Sequence, residues 1–247
     1  MRILYQFPLS HFCEKARWLL DYKELDYVAE NVLPGFQQMF TQVKTGHKTL
    51  PILKNDTELV SEATQIARYL DVTYPEHNLI RANKKLKTET LEIDSLANNL
   101  GVELEKWLFT ALNDVETLDI MLGERGYLRR FEKFTKPVLK SLIKKAPSEA
   151  ELNLAEEKIY TLIEQLNQRI ITQQGRYFVS ERLGLADISV CSMLAPILNI
   201  MGTPWENTQL NPTLTTLKQH VLGLPLGQYV LRIYATERYA RVDWRGI

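Results

Sequence analysis

A chain of 247 residues, 45% hydrophobic and 24% charged, carries enough apolar material for one large domain or two modest ones. Thirty Lys plus Arg balance thirty Asp plus Glu, which argues against a general nucleic-acid or anionic-membrane partner, because such binding rests on a clustered positive excess. Cys13 and Cys191 alone make neither a disulfide framework nor a zinc site, so no metal is expected. Gln6, Pro8, Ser10, Glu14 and Lys15 break up any signal-peptide pattern, and the longest nearly apolar stretch, Val190 to Met201, is too short to span a bilayer; a cytoplasmic location is expected.

Through the first 75 residues the hydrophobic period switches repeatedly. Arg2 to Phe7 reads as a strand stopped by Pro8, and Ser10 to Tyr22 places Phe12, Cys13, Ala16, Leu19 and Leu20 at helical spacing opposite Glu14, Lys15 and Asp21. Tyr27 to Val32 alternates like a strand and ends at Pro34-Gly35. A weakly helical stretch, Phe36 to Val43, leads to Gly46. Leu50 to Leu53 reads as the third strand, Asn55-Asp56 as a turn, Glu58 to Val60 as the fourth strand, and the segment from Ala63 as a helix ending before Pro75. A strand–helix–strand opening implies a parallel pair, and the tight turn an antiparallel one. The order β-α-β-α-β-β-α gives an α/β, thioredoxin-like domain with a four-stranded mixed sheet over residues 1–75.

The rhythm changes after a linker at 74–82. Stretches 83–112, 115–146 and 149–173 read as long amphipathic helices, followed by a buried-looking helix at 186–200, a Pro/Gly-bearing connection at 202–212 and a helical region to about 240. Residues 83–247 are thus expected to form an all-α C-terminal domain.

Four local features carry chemistry. Ser10 is a strong N-cap beside the free N–H groups and positive end of the first helix, where an anion such as a thiolate is stabilised. Taken alone it is simply a cap. Cys13, one turn further in, reads as a small buried hydrophobe or as a thiol, and His11 as a solvent-facing residue. A cis Leu50–Pro51 bond at the start of the third strand would turn the Leu50 N–H and C=O toward a peptide ligand. Glu62-Ala63-Thr64 opens another helix, suited to a ligand carboxylate, with Glu62 able to take an ammonium; the plainer reading is an acid placed by the helix dipole. Gly184 with Asp187 three residues later is a capping arrangement of structural meaning.

In this order, Leu4 through Ser10, Cys13-Glu14-Lys15-Ala16-Arg17, Leu50-Pro51-Ile52-Leu53, Glu62 through Ile66 with Tyr69-Leu70, and Gly184 through Ile188 resemble the soluble glutathione transferase superfamily. The resemblance implies a glutathione site in which Leu50, before a cis Pro51, pairs with the cysteinyl backbone. It implies also that Glu62, Ala63 and Thr64 hold the γ-glutamyl end and Lys48 meets the glycyl carboxylate. Ser10 takes the position of the catalytic serine of theta-like classes and of the cysteine of omega-like relatives. Gln6 stands where other classes carry a tyrosine, Ala63 where the motif usually has serine, and Gly184 where a Ser/Thr caps the helix.

The expected activity is conjugation of glutathione, bound as co-substrate, to small apolar electrophiles. Trp107, Phe109 and Tyr127 are candidate wall residues or core. Glutathione-dependent thiol–disulfide exchange through Cys13 and a non-catalytic binding protein of the same fold are the alternatives. The resemblance and the near-zero charge also imply a homodimer.

Overall fold

The computed structural model describes residues 1–32, 49–111, 133, 147–173 and 175–246. The stretches expected as helices at 36–43 and 115–146, and with them Lys48 and Tyr127, lie outside the described residues, as does the side chain of Phe109.

Four strands form one mixed sheet: β1 (Arg2–Gln6), β2 (Val28–Asn31), β3 (Ile52–Asn55) and β4 (Glu58–Ser61), in the order β2-β1-β3-β4. β1 and β2 are parallel, joined through the helix α1 (His11–Tyr22); β1–β3 and β3–β4 are antiparallel. The period of two explains which side chains go where. Leu4, Ala29 and Leu53 enter the main core, while Tyr5, Ile52 and Val32 form a small cluster on the opposite face. β3 begins at Ile52 rather than Leu50, because the preceding Leu50–Pro51 bond is cis and proline has no N–H for the ladder. The hairpin turn falls at Asp56-Thr57, one residue later than expected. Asn55 stays in the strand, paired with Arg2 and Glu58, and its side-chain amide donates to the hydroxyls of Tyr69 (2.8 Å) and Tyr74 (2.9 Å).

α2 (Ala63–Thr73) closes the first domain, burying Ile66, Ala67 and Leu70. The linker that follows is held tightly. Asp71 accepts from the amides of Leu79 and Ile80, and Arg81 donates to the carbonyls of Arg182 and Leu183.

The second domain is helical throughout its described residues: α3 (Lys84–Ala111), α4 (Glu149–Gln173), α5 (Leu185–Leu198), α6 (Pro212–Leu222) and α7 (Pro225–Glu237). Every residue of α5 is buried, as an apolar helix in the centre of a bundle must be. It packs against α1, α3, α6 and α7, so a single hydrophobic core runs from Leu4 and Trp18 through Ile93 and Leu100 to Ile188 and Val230. No helix among the described residues is long and apolar enough to cross a membrane.

Contact with α5 explains the largest departure from the sequence reading. Glu14, Lys15 and Asp21, the polar side of α1, are buried along with Arg17, because the helix lies between the sheet and the helical domain. His11 is buried too, not solvent-facing. Gly101 on α3 leaves room for several side chains at this point: a Cβ there would come within 2.3 Å of Met193 Sδ and within 3.0 Å of both His11 Nε2 and Phe12 Cζ.

Candidate functional site

One end of the sheet gathers the segments singled out above. β1 and β2 finish there, β3 starts and β4 finishes; Tyr5 pairs with Ile52, and Ile52 with Ser61. The residues just beyond these pairs are Gln6 to Ser10, the cis Leu50–Pro51 bond, and Glu62, whose N–H donates to the Pro51 carbonyl (3.2 Å). This is the carboxyl end of the parallel pair, where open α/β sheets place ligands.

Ser10 caps α1 in an extended conformation and is half-buried; its hydroxyl accepts from the Cys13 N–H at 3.4 Å, the long limit of such a bond. The loop before it is closed by a Ser10 N–H bond to the Phe7 carbonyl (3.0 Å). Cys13 is fully buried, and its sulfur accepts from the Phe7 N–H at 3.4 Å. Burial pushes its thiol pKa up, outweighing the Phe7 bond and the nearby Arg17 charge. His11 Nε2 lies 3.0 Å from the Gly101 carbonyl; burial drives its pKa down to about 4 against that bond, so the ring is neutral near pH 7.

At α2 the N-cap is Glu62, exposed, with φ 65° and no side-chain capping bond. The amides of the first helical turn, Ala63, Thr64 and Gln65, have no intrahelical acceptor. Ala63 is buried and adds no polar atom. The Thr64 hydroxyl is engaged inward: it donates to Asp94 (2.7 Å) and accepts from Lys15 Nζ (3.1 Å) and Asn98 Nδ2 (3.1 Å). Asp94 also takes Lys15 Nζ at 2.5 Å and the Ser189 hydroxyl at 2.6 Å, so α1, α2, α3 and α5 meet in one paired network. Burial pulls the Lys15 pKa down while Asp94 opposes it.

Gln6 does not face this site. Its side chain is fully buried, accepting from Arg17 Nη1 and donating to Asn31 Oδ1 (3.0 Å) and the Trp244 carbonyl (2.9 Å). Trp107 is half-buried and donates to the Leu152 carbonyl (3.1 Å), a bond that ties α3 to α4. Gly184 donates its N–H to Asp187 Oδ2 at 2.8 Å. A Cβ on Gly184 would come within 2.9 Å of the Leu79 carbonyl, which bonds the next amide, so the absent capping hydroxyl leaves room for the linker. No group of three or more His, Cys, Asp or Glu that could hold a metal ion occurs among the described residues.

Sequence reasoning did not find Lys15, Asp94, Asn98 and Ser189 as one network, nor Arg17 as the residue that engages Gln6. A signal for the second existed: Glu14, Arg17 and Asp21 alternate in sign at i, i+3 and i+7, one stripe of a helix.

Comparison with known families bears on the fold. Residues 4–78 match the glutathione S-transferase N-terminal domain and residues 132–226 the glutathione S-transferase C-terminal domain. The chain belongs to the glutathione S-transferase superfamily. A search of curated proteins finds no significant match. Among solved structures, a glutathione S-transferase of Ceriporiopsis subvermispora in complex with glutathione is 18% identical, with 98% of each chain covered and a TM-score of 0.64. A glutathione S-transferase from Rhodospirillum rubrum F11 is 20% identical, covering 98% of this chain and 96% of its own, with a TM-score of 0.58. The β-etherase LigF from Sphingobium sp. strain SYK-6 is 16% identical, covering 94% and 98%, with a TM-score of 0.59. At these identities the likeness speaks for the transferase fold alone. The thioredoxin-like domain followed by a helical domain is the architecture expected from the sequence.

Proposed function

We propose that this chain is a glutathione transferase that binds glutathione at the sheet end described above and conjugates it to small apolar electrophiles. The observation that carries the reading is the Ser10 N-cap: a hydroxyl with one long internal bond among the described residues, at the positive end of α1, at the same end of the sheet as the cis Leu50–Pro51 bond. In this reading the Leu50 main chain pairs with the cysteinyl unit of glutathione. The γ-glutamyl carboxylate takes the open amides of α2, Glu62 faces the γ-glutamyl ammonium, and Lys48 meets the glycyl carboxylate. The thiol then lies at Ser10, where a hydroxyl donor and the helix dipole favour the thiolate, the form that attacks an electrophilic carbon.

Cys13 is a poor candidate for disulfide exchange, since a buried thiol with a raised pKa is little ionised and hard to reach. Side-by-side kinetics decide the matter. Ser10→Ala should lower conjugation about 10-fold or more, the ~1.4 kcal/mol of one hydrogen bond to a charged group, with glutathione affinity little changed. Cys13→Ala should leave turnover mostly intact. A dead Cys13→Ala variant, with a glutathione adduct on Cys13 in the parent protein by mass spectrometry, would replace conjugation by exchange. Glutathione binding without turnover in the parent would leave a binding protein.

A further inference from the structure

Helix α1 buries more charge than packing requires. Arg17 and Glu14 sit at 0% and 3% side-chain exposure, joined at 2.8 Å. Replacing such a pair by apolar residues commonly costs nothing in stability, so its presence calls for another reason. The reason lies in what Arg17 holds. Besides Glu14 it donates to the Gln6 side chain at the end of β1 and, from Nη2 at 3.3 Å, to the Pro8 carbonyl. Both acceptors belong to the stretch that delivers Ser10.

Glu14 is in turn shared with the C-terminal segment. After α7 the chain leaves the helix at Arg238 and returns to the first domain. Arg238 lies over the Trp18 ring, donates from Nε to the second Glu14 oxygen at 2.9 Å, and from Nη1 to Asp21 at 2.7 Å. Further on, Arg241 pairs with Asp26 (2.9 Å), the Trp244 carbonyl accepts from Gln6 Nε2, and the Arg245 carbonyl accepts from Asn31. Gln6 is therefore reached by the segment twice, directly at Trp244 and through Arg238, Glu14 and Arg17. Burial alone would lift the Glu14 pKa; Arg238 and Arg17 outweigh it and hold the carboxyl below its ordinary range.

We propose that residues 238–246 are a positioning element of the glutathione site: Arg238, acting through Glu14 and Arg17, fixes the Pro8 carbonyl and so the placement of the Ser10 hydroxyl. This rests on the function proposed above. Thiolate stabilisation by one hydroxyl tolerates little displacement, so a loop left with the Ser10–Phe7 bond and the two long bonds to Cys13 would present that hydroxyl less well. Arg17 and Arg238 touch no substrate in this scheme; they act through the loop.

The test compares the full-length parent with Arg238→Met, which keeps the packing over Trp18 and removes the guanidinium, and with Arg238→Lys. Three quantities are read: amide exchange of residues 7–13 without ligand, the pKa of bound glutathione from its ultraviolet thiolate absorbance, and kcat against KM. In Arg238→Met, exchange of residues 7–13 should rise about 10-fold while α5 stays protected. The bound thiol pKa should rise by about one unit, and kcat at neutral pH should fall several-fold with KM for glutathione within about 2-fold. Arg238→Lys should recover part of each change, since one ammonium can still meet Glu14. Should Arg238→Met fail to fold, Gly246→Val serves instead, because its Cβ would come within 2.7 Å of the Ala29 carbonyl and Asn31 and within 3.0 Å of Gln6 Nε2. That variant should give the same changes at smaller size. Unchanged exchange at residues 7–13 in a folded variant overturns the relay whatever the parent does with glutathione. An unchanged thiol pKa with faster exchange also overturns it, leaving the segment a purely structural strap. A parent that binds no glutathione would overturn the functional reading instead, and the exchange measurement alone would then decide the relay.

Discussion

The helix N-termini of the two domains are finished differently. In the helical domain each described one is met by a side-chain oxygen. Asn83 accepts from the Lys85 and Leu86 amides at α3, Ser148 and Glu151 form a reciprocal box at α4, and Asn211 accepts from Leu214 at α6. Asn167 reaches across to the Leu226 amide at α7, and Asp187 takes Gly184 at α5. The first domain does otherwise: Ser10 closes α1 with one bond of 3.4 Å, and α2 has no side-chain cap. Free amides at a helix start cost stability unless something accepts from them. α5 and α7 also lack a cap from their own N-cap residue, but the Leu185 amide bonds the Leu79 carbonyl and the Leu226 amide bonds Asn167, whereas among the described residues the first amides of α2 meet no acceptor, which suits the ligand carboxylate proposed above.

The largest expected effect lies at the most tightly sealed end. Asp187 is buried and accepts from the Gly184 and Phe178 amides and the Tyr229 hydroxyl. Asp187→Ala strands all three donors in the core, at about 3–5 kcal/mol of stability, the scale of a broken buried ionic contact. Denaturant titration should show that loss, with glutathione affinity of the folded fraction unchanged. A loss below about 1 kcal/mol would mean that the sealed and open ends differ little in energy.

A somewhat smaller effect concerns His11, the first residue of α1. Its folded pKa, about 4, lies below the ordinary histidine value of 6.5, so between those values the unfolded chain binds more protons and stability rises with pH. The contribution is fully present above about pH 6.5 and lost on acidification toward pH 4, up to about 3 kcal/mol. His11→Gln, which can still donate to Gly101, should flatten this part of the stability–pH curve. Identical slopes in parent and variant would show that the imidazole is not held neutral by the fold, and that the helix end has a cation of its own beside it.

The order of elements was legible in the sequence because its signals are local. Alternating runs, Pro8, the Asn55-Asp56 turn and the break at Pro75 each act within a few residues, and they place β1 to β4 and α2 to within two residues of the structure. Ser10 as an N-cap was legible for the same reason, whereas the cis Leu50–Pro51 bond was legible only through the resemblance to the family. What was illegible depends on partners far along the chain. The charged side of α1 resembles a solvated face until α5 covers it, and Arg238 stands 224 positions from Glu14. The burial of His11 is illegible for the same reason, since the carbonyl it meets is that of Gly101, ninety positions away.

The smallest predicted effect bears on whether the open end of α2 faces the γ-glutamyl group. Three groups there are available to a carboxylate: the amides of Ala63, Thr64 and Gln65. The Thr64 hydroxyl is not a fourth, being engaged by Asp94, Lys15 and Asn98. The side chain of Ala63, where the superfamily motif usually carries serine, supplies none. Ala63→Ser should therefore add a single hydrogen bond to the bound carboxylate, worth about 0.5–1.5 kcal/mol, or roughly a 2- to 10-fold lower Kd for glutathione by calorimetry. The same change should do nothing for cysteinylglycine, which lacks the γ-glutamyl end. Equal gains for both peptides would mean that the new hydroxyl touches the shared part of the ligand. No gain for either, in a variant as stable as the parent, would place the γ-glutamyl group away from α2 and leave its open amides to water.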